Sequence, residues 1–373
     1  MLRAVIKTGA AMGLHRSGLL RWASRRLRPD DFPRVVGYHR VVEDYRSSAG
    51  TSLASMLISR RMFRNHLEWM ARRYRFIPLG EVKEETGALG ARRNQGRIAV
   101  TFDDGYRDFY HHAFPVLKAM GIPAGVFVVT SLVGTGRMQA HDRLFLRMQR
   151  ALVLWRAPLA ELERLLRTLD LASAFVRVKL PFTTDPARLT RALLRSLDRT
   201  ETERLIEGLQ ERVALDESRY EDLLPLTWEM LSELARAGIT IGSHSVSHPN
   251  LTRETPARIR DEVLRSRREL ESRLGVEITE FAYPDGQFDE KVVDAVAAAG
   301  YARAYSACNH RQPDRSMLTI PRQLFWERSC TDSRAQFSEA ILSCQMEWIF
   351  GAGSCKRTHH SGGAGTRRQT SSG

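Results

Sequence analysis

The sequence lacks any apolar run that approaches the length needed to cross a membrane, about 20 residues. Its N-terminus also lacks the clean apolar core and small-residue cleavage site of a signal peptide. Cysteine is scarce, and the four cysteines show no spacing typical of a metal site: Cys308, Cys330, Cys344 and Cys355. These absences favour a reducing compartment. We therefore expect a cytoplasmic protein, either free or peripheral at the inner face of the cell membrane.

Acidic residues are scarce at both ends of the chain. Lysine and arginine number 57 against 43 acidic residues, which gives a formal net charge of +14. Residues 1–30 carry seven cations and one acid, and residues 351–373 carry four cations and no acid. Because the region between them is nearly balanced, the fold itself has no charge pattern typical of nucleic-acid binding. We expect no nucleic-acid partner.

The N-terminal segment, residues 1–30, has the pattern of a basic amphipathic helix. On a wheel of about 3.6 residues per turn, five cations gather on one side: Arg3, Lys7, Arg21, Arg25 and Arg28. This pattern suits contact of residues 1–28 with an anionic membrane, while a solvated or domain-packing helix is the alternative. At the other end, residues 331–373 form an extension, expected to be disordered from about residue 351 because Gly, Ser, Thr and Arg dominate there.

Strand and helix signals alternate over residues 31–137 and again over 225–330, which indicates an α/β fold with a parallel sheet. The character changes between these stretches, at about residues 138–224. Leucines recur there at helical spacing, and the one strand signal is Phe175–Val178. The sequence thus predicts one domain over 31–330 with a helical insertion that packs on it and covers a cleft.

Two adjacent carboxylates, Asp103 and Asp104, follow a strand signal. The run Arg97–Phe102 is apolar and β-branched and stops at Asp-Asp-Gly, a strand that enters a turn. Side chains at the carboxyl end of a buried strand face a crevice rather than the core. Consecutive residues point in different directions, so one carboxylate can bind a cation while the other accepts a proton. An ordinary turn is the alternative interpretation.

Two histidines four residues apart, His244 and His248, follow a second strand signal. We interpret them as lying on one face of a helical turn, where they converge on one ion. One aspartate completes a set of two histidines and a carboxylate, which leaves positions open for water and substrate. A lone pair of histidines at this spacing is often coincidence. Together with the adjacent aspartates, however, it predicts a metal centre with its own base, and the mixed ligands favour Zn²⁺.

At these residues the chain resembles the polysaccharide deacetylases with a NodB-type catalytic domain, also called carbohydrate esterase family four. Thr101–Gly105 resembles the first motif of that family, and His244–Pro249 resembles the second. Phe281–Gly286 resembles a variant of the third, and Val36–Val41 resembles the opening strand of a bacterial subgroup. The resemblance spans about residues 31–330. It implies an α/β fold of the distorted (β/α) barrel type, with about seven strands.

The resemblance also assigns roles. It implies Asp103 as the general base and Asp104, His244 and His248 as the metal ligands. It further implies that the backbone N–H of Tyr283 or of a neighbour stabilises the oxyanion together with the metal.

Two residues of the family pattern are missing here. The third motif usually brings an arginine that orients the base, but Ala282 and Tyr283 stand before Pro284 in this chain. We expect Arg322 to replace that arginine. The last motif, Leu-x-Leu-His, supplies a general acid and has no match near the C-terminus. His39 ends a strand signal and is our candidate substitute, with a hydrogen-bonded structural histidine as the alternative.

The predicted function is metal-dependent hydrolysis of the acetamide of N-acetylated sugars to acetate and a free amine, with an acetylated glycan as the partner. One alternative is a hydrolase of another amide or of an O-acetyl ester on the same fold. The other is a carbohydrate-binding pseudoenzyme, which the two missing residues keep open and the retained metal ligands oppose. Nothing in the sequence identifies the sugar.

Overall fold

The computed structural model of the chain describes residues 2–17, 32–84, 96–171, 183–309 and 311–350. Three expectations fall outside the described residues: the strand signal at 175–178, the part of the basic segment after residue 17, and the disorder from residue 351. Among the described residues, no helix combines the length and the apolar character needed to cross a bilayer.

The described strands fall into two sheets. In chain order they are β1 (Arg34–Tyr38), β2 (Arg40–Val42), β3 (Leu57–Ser59), β4 (Arg75–Phe76), β5 (Arg97–Phe102), β6 (Ala124–Val128), β7 (Thr240–Ser243), β8 (Glu280–Ala282), β9 (Arg303–Ser306), β10 (Ile320–Pro321) and β11 (Gln323–Leu324). Strands β2 and β3 form a small parallel pair. The other nine form one sheet, in which every strand pair is parallel.

The large sheet curls into a nearly closed barrel. Its strand order is β10-β9-β8-β7-β6-β5-β1-β11, with β4 paired to β5 off this path. The two end strands, β10 and β11, are separated in the chain by Arg322 alone. They act as two halves of one interrupted strand, the first paired with β9 and the second with β1. The predicted (β/α) barrel of about seven strands is therefore confirmed, and Arg322 lies at its seam.

Helices surround the barrel. They are α1 (Leu2–Arg16), α2 (Tyr45–Ser48), α3 (Arg60–Ala71), α4 (Phe114–Met120), α5 (Ala140–Leu154), α6 (Pro158–Thr168), α7 (Pro186–Ser196), α8 (Arg199–Gln210), α9 (Trp228–Arg236), α10 (Pro256–Leu274), α11 (Glu290–Ala298) and α12 (Glu339–Met346). Helix α10 illustrates why they start and stop where they do. The Thr255 side chain accepts the N–H of Arg258 and Pro256 fills the first turn, while Gly275 ends the helix at φ 67°.

Two large hydrophobic clusters stand out among the described residues. The larger joins the barrel strands to the outer helices, and its central strand β5 is buried from Ile98 to Phe102, as expected for a parallel strand covered on both sides. The second core lies within helices α5 to α8 and is built from their leucine stripes, for example Leu144, Leu165 and Leu193. These helices occupy the span 138–224, so the leucine stripes hold the insertion together.

The N-terminal helix α1 packs against α12. Ala11 is buried in a small cluster with Ile341 and Cys344. The Lys7 ammonium donates to the Ser329 carbonyl at 3.2 Å, and burial lowers its pKa. The prediction that Lys7 lies on an outward-facing basic surface is therefore wrong. Apolar contacts of α1 with α12 turn the Lys7 side of the helix toward the protein. Within the described residues α1 is a domain-packing helix, and membrane contact gains no support.

Prediction: His66 makes the fold sensitive to acid. Its ring is fully buried against Phe325 and Phe337 and is joined to the Tyr38 hydroxyl by a hydrogen bond of 3.2 Å. Burial lowers the pKa of His66 to about 3, so the folded state keeps the neutral ring while the unfolded state takes up a proton below its ordinary pKa of about 6.5. Stability supplied by the neutral ring is present above that value and falls as the pH drops toward the folded pKa.

When the pH falls from about 7 to about 5, protonation of His66 in the unfolded state should lower the unfolding free energy by about 2 kcal/mol. Urea denaturation of the wild type and of His66→Gln at both pH values measures this contribution. The variant keeps a polar side chain but cannot titrate, so its stability should fall by about 2 kcal/mol less over the same interval. Equal acid losses in the two proteins would show that His66 is not the group responsible.

Candidate active site and metal centre

The first two acidic residues of the site stand where β5 stops. The Asp103 N–H still donates to the Tyr38 carbonyl at 2.9 Å, which continues the pairing of β5 with β1. The next two residues, Asp104 and Gly105, have left-handed backbones with φ values of 71° and 66°. A Cβ at Gly105 would lie 2.8 Å from the Val128 side chain, so glycine is required there. This sharp turn ends the strand and places both carboxylates at the carboxyl end of the barrel.

Asp103 and Arg322 form a bidentate ion pair. The Arg322 Nη1 and Nη2 atoms donate to the two carboxylate oxygens at 2.7 and 2.8 Å. Arg322 also donates to the Thr101 hydroxyl and to the Ser306 carbonyl, each at 3.1 Å. Its side chain is wholly buried. Arg322 thus reaches Asp103 from the barrel seam, a position that the family's third motif would not suggest.

The charge state of Asp103 follows from its neighbours. Burial alone would raise the pKa of this carboxyl, but the Arg322 guanidinium and the nearby His244 and His39 rings act in the opposite direction. Their combined effect lowers the pKa to about 2. The carboxylate is therefore ionised at neutral pH.

Asp104, His244 and His248 come together as one cluster. Their ligand atoms all lie within 4.8 Å of one another. The Asp104 Oδ1 atom is 3.7 Å from His244 Nε2 and 3.4 Å from His248 Nε2. The structure thus brings the three sequence-predicted ligands together beside Asp103.

The two histidines do not lie on a helical turn, so that expectation was wrong. They stand in an irregular loop after β7, in which Ser245 and His248 have φ values of 67° and 54°. Hydroxyl and carboxylate groups hold this loop: the His248 N–H donates to Ser245 Oγ at 3.0 Å, and the Ser247 N–H donates to the buried Glu262 at 2.8 Å. Side chain to backbone hydrogen bonds of this kind compete with helix formation.

The cluster fits a divalent cation. The Asp104 Oδ1 atom is buried without a hydrogen-bond partner among the described residues, which is a costly arrangement unless an ion satisfies it. Burial and the nearby carboxylates raise the pKa of Asp104, and a bound cation would oppose this. The His244 Nδ1–H donates to the Ala282 carbonyl at 2.7 Å, which leaves its Nε2 lone pair directed to the cluster. Burial also lowers the pKa of His244 to about 3, so the ring is neutral and able to bind metal.

A cavity of about 320 Å³ opens above these residues. This volume is at the lower end of the range for small-molecule sites. Its lining residues come from the barrel, from the loop between β2 and β3, from the insertion and from the segment after β11: His39, Leu53, Ser55, Met56, Asp103, Asp104, His141, Arg191, Leu194, Arg195, His244, His248, Asn250, Asp285, Gly286, Gln287, Ala307, Leu324 and Trp326.

His39 shares this cavity with Asp103. It directly follows β1, and its Nδ1 atom is buried with no hydrogen-bond partner among the described residues. Burial lowers the pKa of His39, while the Asp103 carboxylate acts against that effect. Among the described residues, the alternative of a hydrogen-bonded structural histidine has no partner at Nδ1.

Tyr283 does not take the expected place. Its backbone N–H donates to the Tyr305 carbonyl at 3.0 Å as part of the sheet, so it is not free to stabilise an oxyanion. Its buried side chain points away and donates to the Leu318 carbonyl at 2.7 Å. The expectation for this N–H was therefore wrong, because the pairing of β8 with β9 extends to Tyr283, one residue beyond the end of β8. The N–H of a neighbouring residue, the other half of that expectation, stays a prediction. Asp285, two residues further along the chain, does line the cavity.

His141, from the insertion, was not predicted. Its Nε2 atom lies 4.0 Å from Asp104 Oδ2 and makes a 2.6 Å hydrogen bond with the Tyr106 hydroxyl. That hydroxyl donates to Asp142 at 2.5 Å, and Ser52 donates to the same carboxylate at 2.7 Å. Since Nε2 is engaged with Tyr106, His141 flanks the cluster rather than completing it. No motif or spacing in the sequence could have revealed it, because only the packing of α5 brings it to the cavity.

The sequence model of the polysaccharide deacetylase family matches residues 90–156 and 180–304, just over half of the chain. The chain belongs to the polysaccharide deacetylase family. The family predicted from the motifs is thus confirmed. Among curated proteins of Bacillus subtilis, YxkH is 21% identical over 270 residues and YlxY is 32% identical over 69 residues. These alignments cover 72% and 18% of this chain but only 61% and 22% of the two relatives.

Solved structures share the fold. The deacetylase PplD of Streptococcus pyogenes, in complex with acetate, superposes with a TM-score of 0.50 at 16% identity, covering 84% of this chain and 98% of PplD. A polysaccharide deacetylase of Bacillus cereus also gives a TM-score of 0.50, at 14% identity, covering 84% of this chain and 69% of that chain. At these identities the likeness concerns the fold.

Prediction: Arg322→Met should lower the unfolding free energy by about 3–5 kcal/mol, because it leaves Asp103 buried and charged without its partner. Denaturant titration measures the loss. Arg315→Met is a matched control, since Arg315 makes a single 2.8 Å contact with Asp294 and both side chains are about half exposed. The control should cost less than about 1 kcal/mol.

The double variant Asp103→Asn, Arg322→Met should recover part of the loss, because no unpaired carboxylate remains. A loss from Arg322→Met no larger than that from Arg315→Met would mean that the buried pair does not hold the seam.

Proposed function

We propose that this chain is a metal-dependent deacetylase that hydrolyses the acetamide of N-acetylated sugars to acetate and a free amine. The observation that carries the proposal is the cluster of Asp104, His244 and His248 with the ionised Asp103 beside it, all open to one cavity. A base and a cation site that share a cavity are what hydrolysis of an unreactive amide requires. Membership in the polysaccharide deacetylase family supports a glycan substrate.

Asp104, His244 and His248 would hold the ion. Two imidazoles and one carboxylate, with positions left open, suit Zn²⁺ best. When bound, the ion lowers the pKa of water and polarises the acetamide carbonyl. The ion would also compensate the negative charge of the Asp104 carboxylate, whose Oδ1 atom has no hydrogen-bond partner among the described residues.

Asp103 acts as the general base and accepts a proton from the attacking water. Arg322 holds both carboxylate oxygens, so it fixes the orientation of the base and keeps it ionised. It takes the place of the arginine that the family's third motif usually supplies. The contact supports an orienting role for Arg322, since a base must be held within reach of the proton that it abstracts.

His39 protonates the leaving amine. It lies next to Asp103 across the pairing of β1 with β5, and its buried Nδ1 has no partner among the described residues. Burial lowers the pKa of the His39 ring, and the adjacent Asp103 carboxylate opposes that effect. This placement supports His39 as the substitute for the histidine of the missing last motif.

In place of the Tyr283 N–H, we assign the oxyanion contact to the backbone N–H of Asp285. Asp285 is the next residue with a backbone N–H after Tyr283, and it lines the cavity.

The alternatives differ in substrate. The half-buried Trp326 and the apolar Leu53, Met56 and Leu324 line the cavity and suit the face of a sugar ring. They do not distinguish an acetamide from an O-acetyl ester. Acetate release by the metal-loaded protein from N-acetylated and O-acetylated oligosaccharides separates the two. Release from neither, with sugar binding retained, would favour the carbohydrate-binding pseudoenzyme.

Prediction: His244→Ala and His248→Ala should each strip the metal and the activity together, because each removes one of three ligands. Elemental analysis of protein dialysed against dilute Zn²⁺ measures occupancy, and acetate release measures activity. The control is His111→Ala, since His111 is exposed and does not line the cavity. Full metal occupancy in a protein that carries both His244→Ala and His248→Ala would exclude this ligand set.

Prediction: Asp103→Asn should keep the metal and slow hydrolysis by about 10² or more, the usual effect of losing a general base. His39→Gln should also keep the metal and lower kcat, because it removes the proton donor without touching a ligand. Metal content and kcat are measured on the same preparations. If Asp103→Asn instead lost metal in proportion to activity, Asp103 would be a ligand and Asp104 the base.

A further inference from the structure

Two arginines at the cavity have no part in the proposed reaction. Arg191 and Arg195 line it from helix α7, together with Leu194. Residues four apart on a helix are neighbours on one face. Arg191 is half-buried and Arg195 is exposed. We call these two residues the arginine pair.

The packing of α7 fixes the direction of this face. Leu189 and Leu193 are fully buried in the core of the insertion, where α7 packs on α5. Asp185 caps the helix by accepting the N–H of Arg188 at 3.0 Å. With its apolar face held inside the insertion, α7 presents the arginine pair to the cavity.

Neither member of the arginine pair makes an ion pair with a carboxylate of a described residue. Their neighbours differ: Arg188 lies 3.8 Å from Asp185, and Arg199 lies 2.5 Å from Glu203. Like charges four residues apart repel and slightly destabilise a helix. Two uncompensated cations that face a cavity therefore gain stability when an anion binds between them.

The charge of the cavity points the same way. Its carboxylates are Asp103, Asp104 and Asp285. Arg322 neutralises the first of them. A divalent ion held by Asp104, His244 and His248 would balance the other two. The arginine pair then leaves the cavity with a net positive charge, which attracts an anionic ligand.

We propose that the arginine pair binds an anionic group, a phosphate or a carboxylate, on the acetylated sugar that the site accepts. This inference rests on the proposed deacetylase function. Guanidinium groups bind both kinds of oxyanion through paired N–H donors. The group belongs either to a glycosyl phosphate or to a uronic acid within the glycan.

Matched substrates test this. Methyl N-acetylglucosaminide is compared with N-acetylglucosamine 1-phosphate, and a neutral N-acetylglucosamine tetrasaccharide with one that alternates N-acetylglucosamine and glucuronate. For the Zn²⁺-loaded wild type, kcat/KM should be higher for the anionic member of one pair, which identifies the source of the charge. Calorimetric affinity for the same compounds gives a readout that does not depend on turnover, and it should weaken as salt rises.

The variant Arg191→Gln, Arg195→Gln should lower kcat/KM for the preferred anionic substrate about tenfold, mainly through KM, and leave its neutral counterpart unchanged. Arg191→Lys, Arg195→Lys should restore most of the loss, which shows that charge rather than folding is responsible. Arg188→Gln, on the same helix but away from the cavity, should behave as wild type.

Equal kcat/KM within both matched pairs, or an equal loss on neutral and anionic substrates in the glutamine variant, would overturn the inference. Wild-type protein that releases no acetate from any of the four compounds would instead sink the proposed function. Calorimetry then decides the inference by itself: anionic sugars must bind the wild type more tightly than the glutamine variant, and equal affinities would refute it.

Discussion

The buried ion pair between Asp103 and Arg322 is the constraint on which the site depends. It connects the carboxyl end of β5 to the seam between β10 and β11, so the same contact closes the barrel and fixes the Asp103 carboxylate. Burying two charges costs on the order of several kcal/mol for each. The two short hydrogen bonds and the further contacts of Arg322 with Thr101 and Ser306 offset this cost. Neither side chain can turn away without leaving the other charged and unpaired, which holds Asp103 in one orientation.

The cluster of Asp104, His244 and His248 is held in a different way, by strained backbone. Asp104, His248 and Asp285 line the cavity, and all three have left-handed backbones with φ values of 71°, 54° and 56°. Such conformations cost on the order of 1–3 kcal/mol each and persist where the surroundings enforce them. Here the strand ends and the hydrogen bonds of Ser245 and Glu262 do so. The strain turns side chains inward at strand ends, so that Asp104 and His248 meet although they are far apart in the chain.

The sequence predicted those parts of the site that depend on local order along the chain. Asp103, Asp104, His244 and His248 follow strand signals, and the ends of parallel strands meet at one edge, so their meeting needed no knowledge of packing. Features that depend on backbone detail or helix docking were not predictable. The loop of His248 is not helical, the N–H of Tyr283 is used by the sheet, and Lys7 faces the protein. The cavity-lining residues of the insertion were missed altogether. Hydrophobic periodicity identifies the buried face of a helix, but it does not identify the part of the protein against which the helix packs.

The division of labour between barrel and insertion follows from their separate cores. The barrel supplies Asp103, Asp104 and the two histidines, and its core does not include helices α5 to α8. The insertion supplies one wall of the cavity, and α7 is held there by its own leucines. Side chains on the cavity face of α7 can therefore alter which ligand is held without disturbing the pair of Asp103 and Arg322. The two parts are not independent, however. The contact of Tyr106, beside the first motif, with Asp142 of α5 ties the wall to the turn that carries Asp104, so the packing of the insertion helps to hold that turn in place.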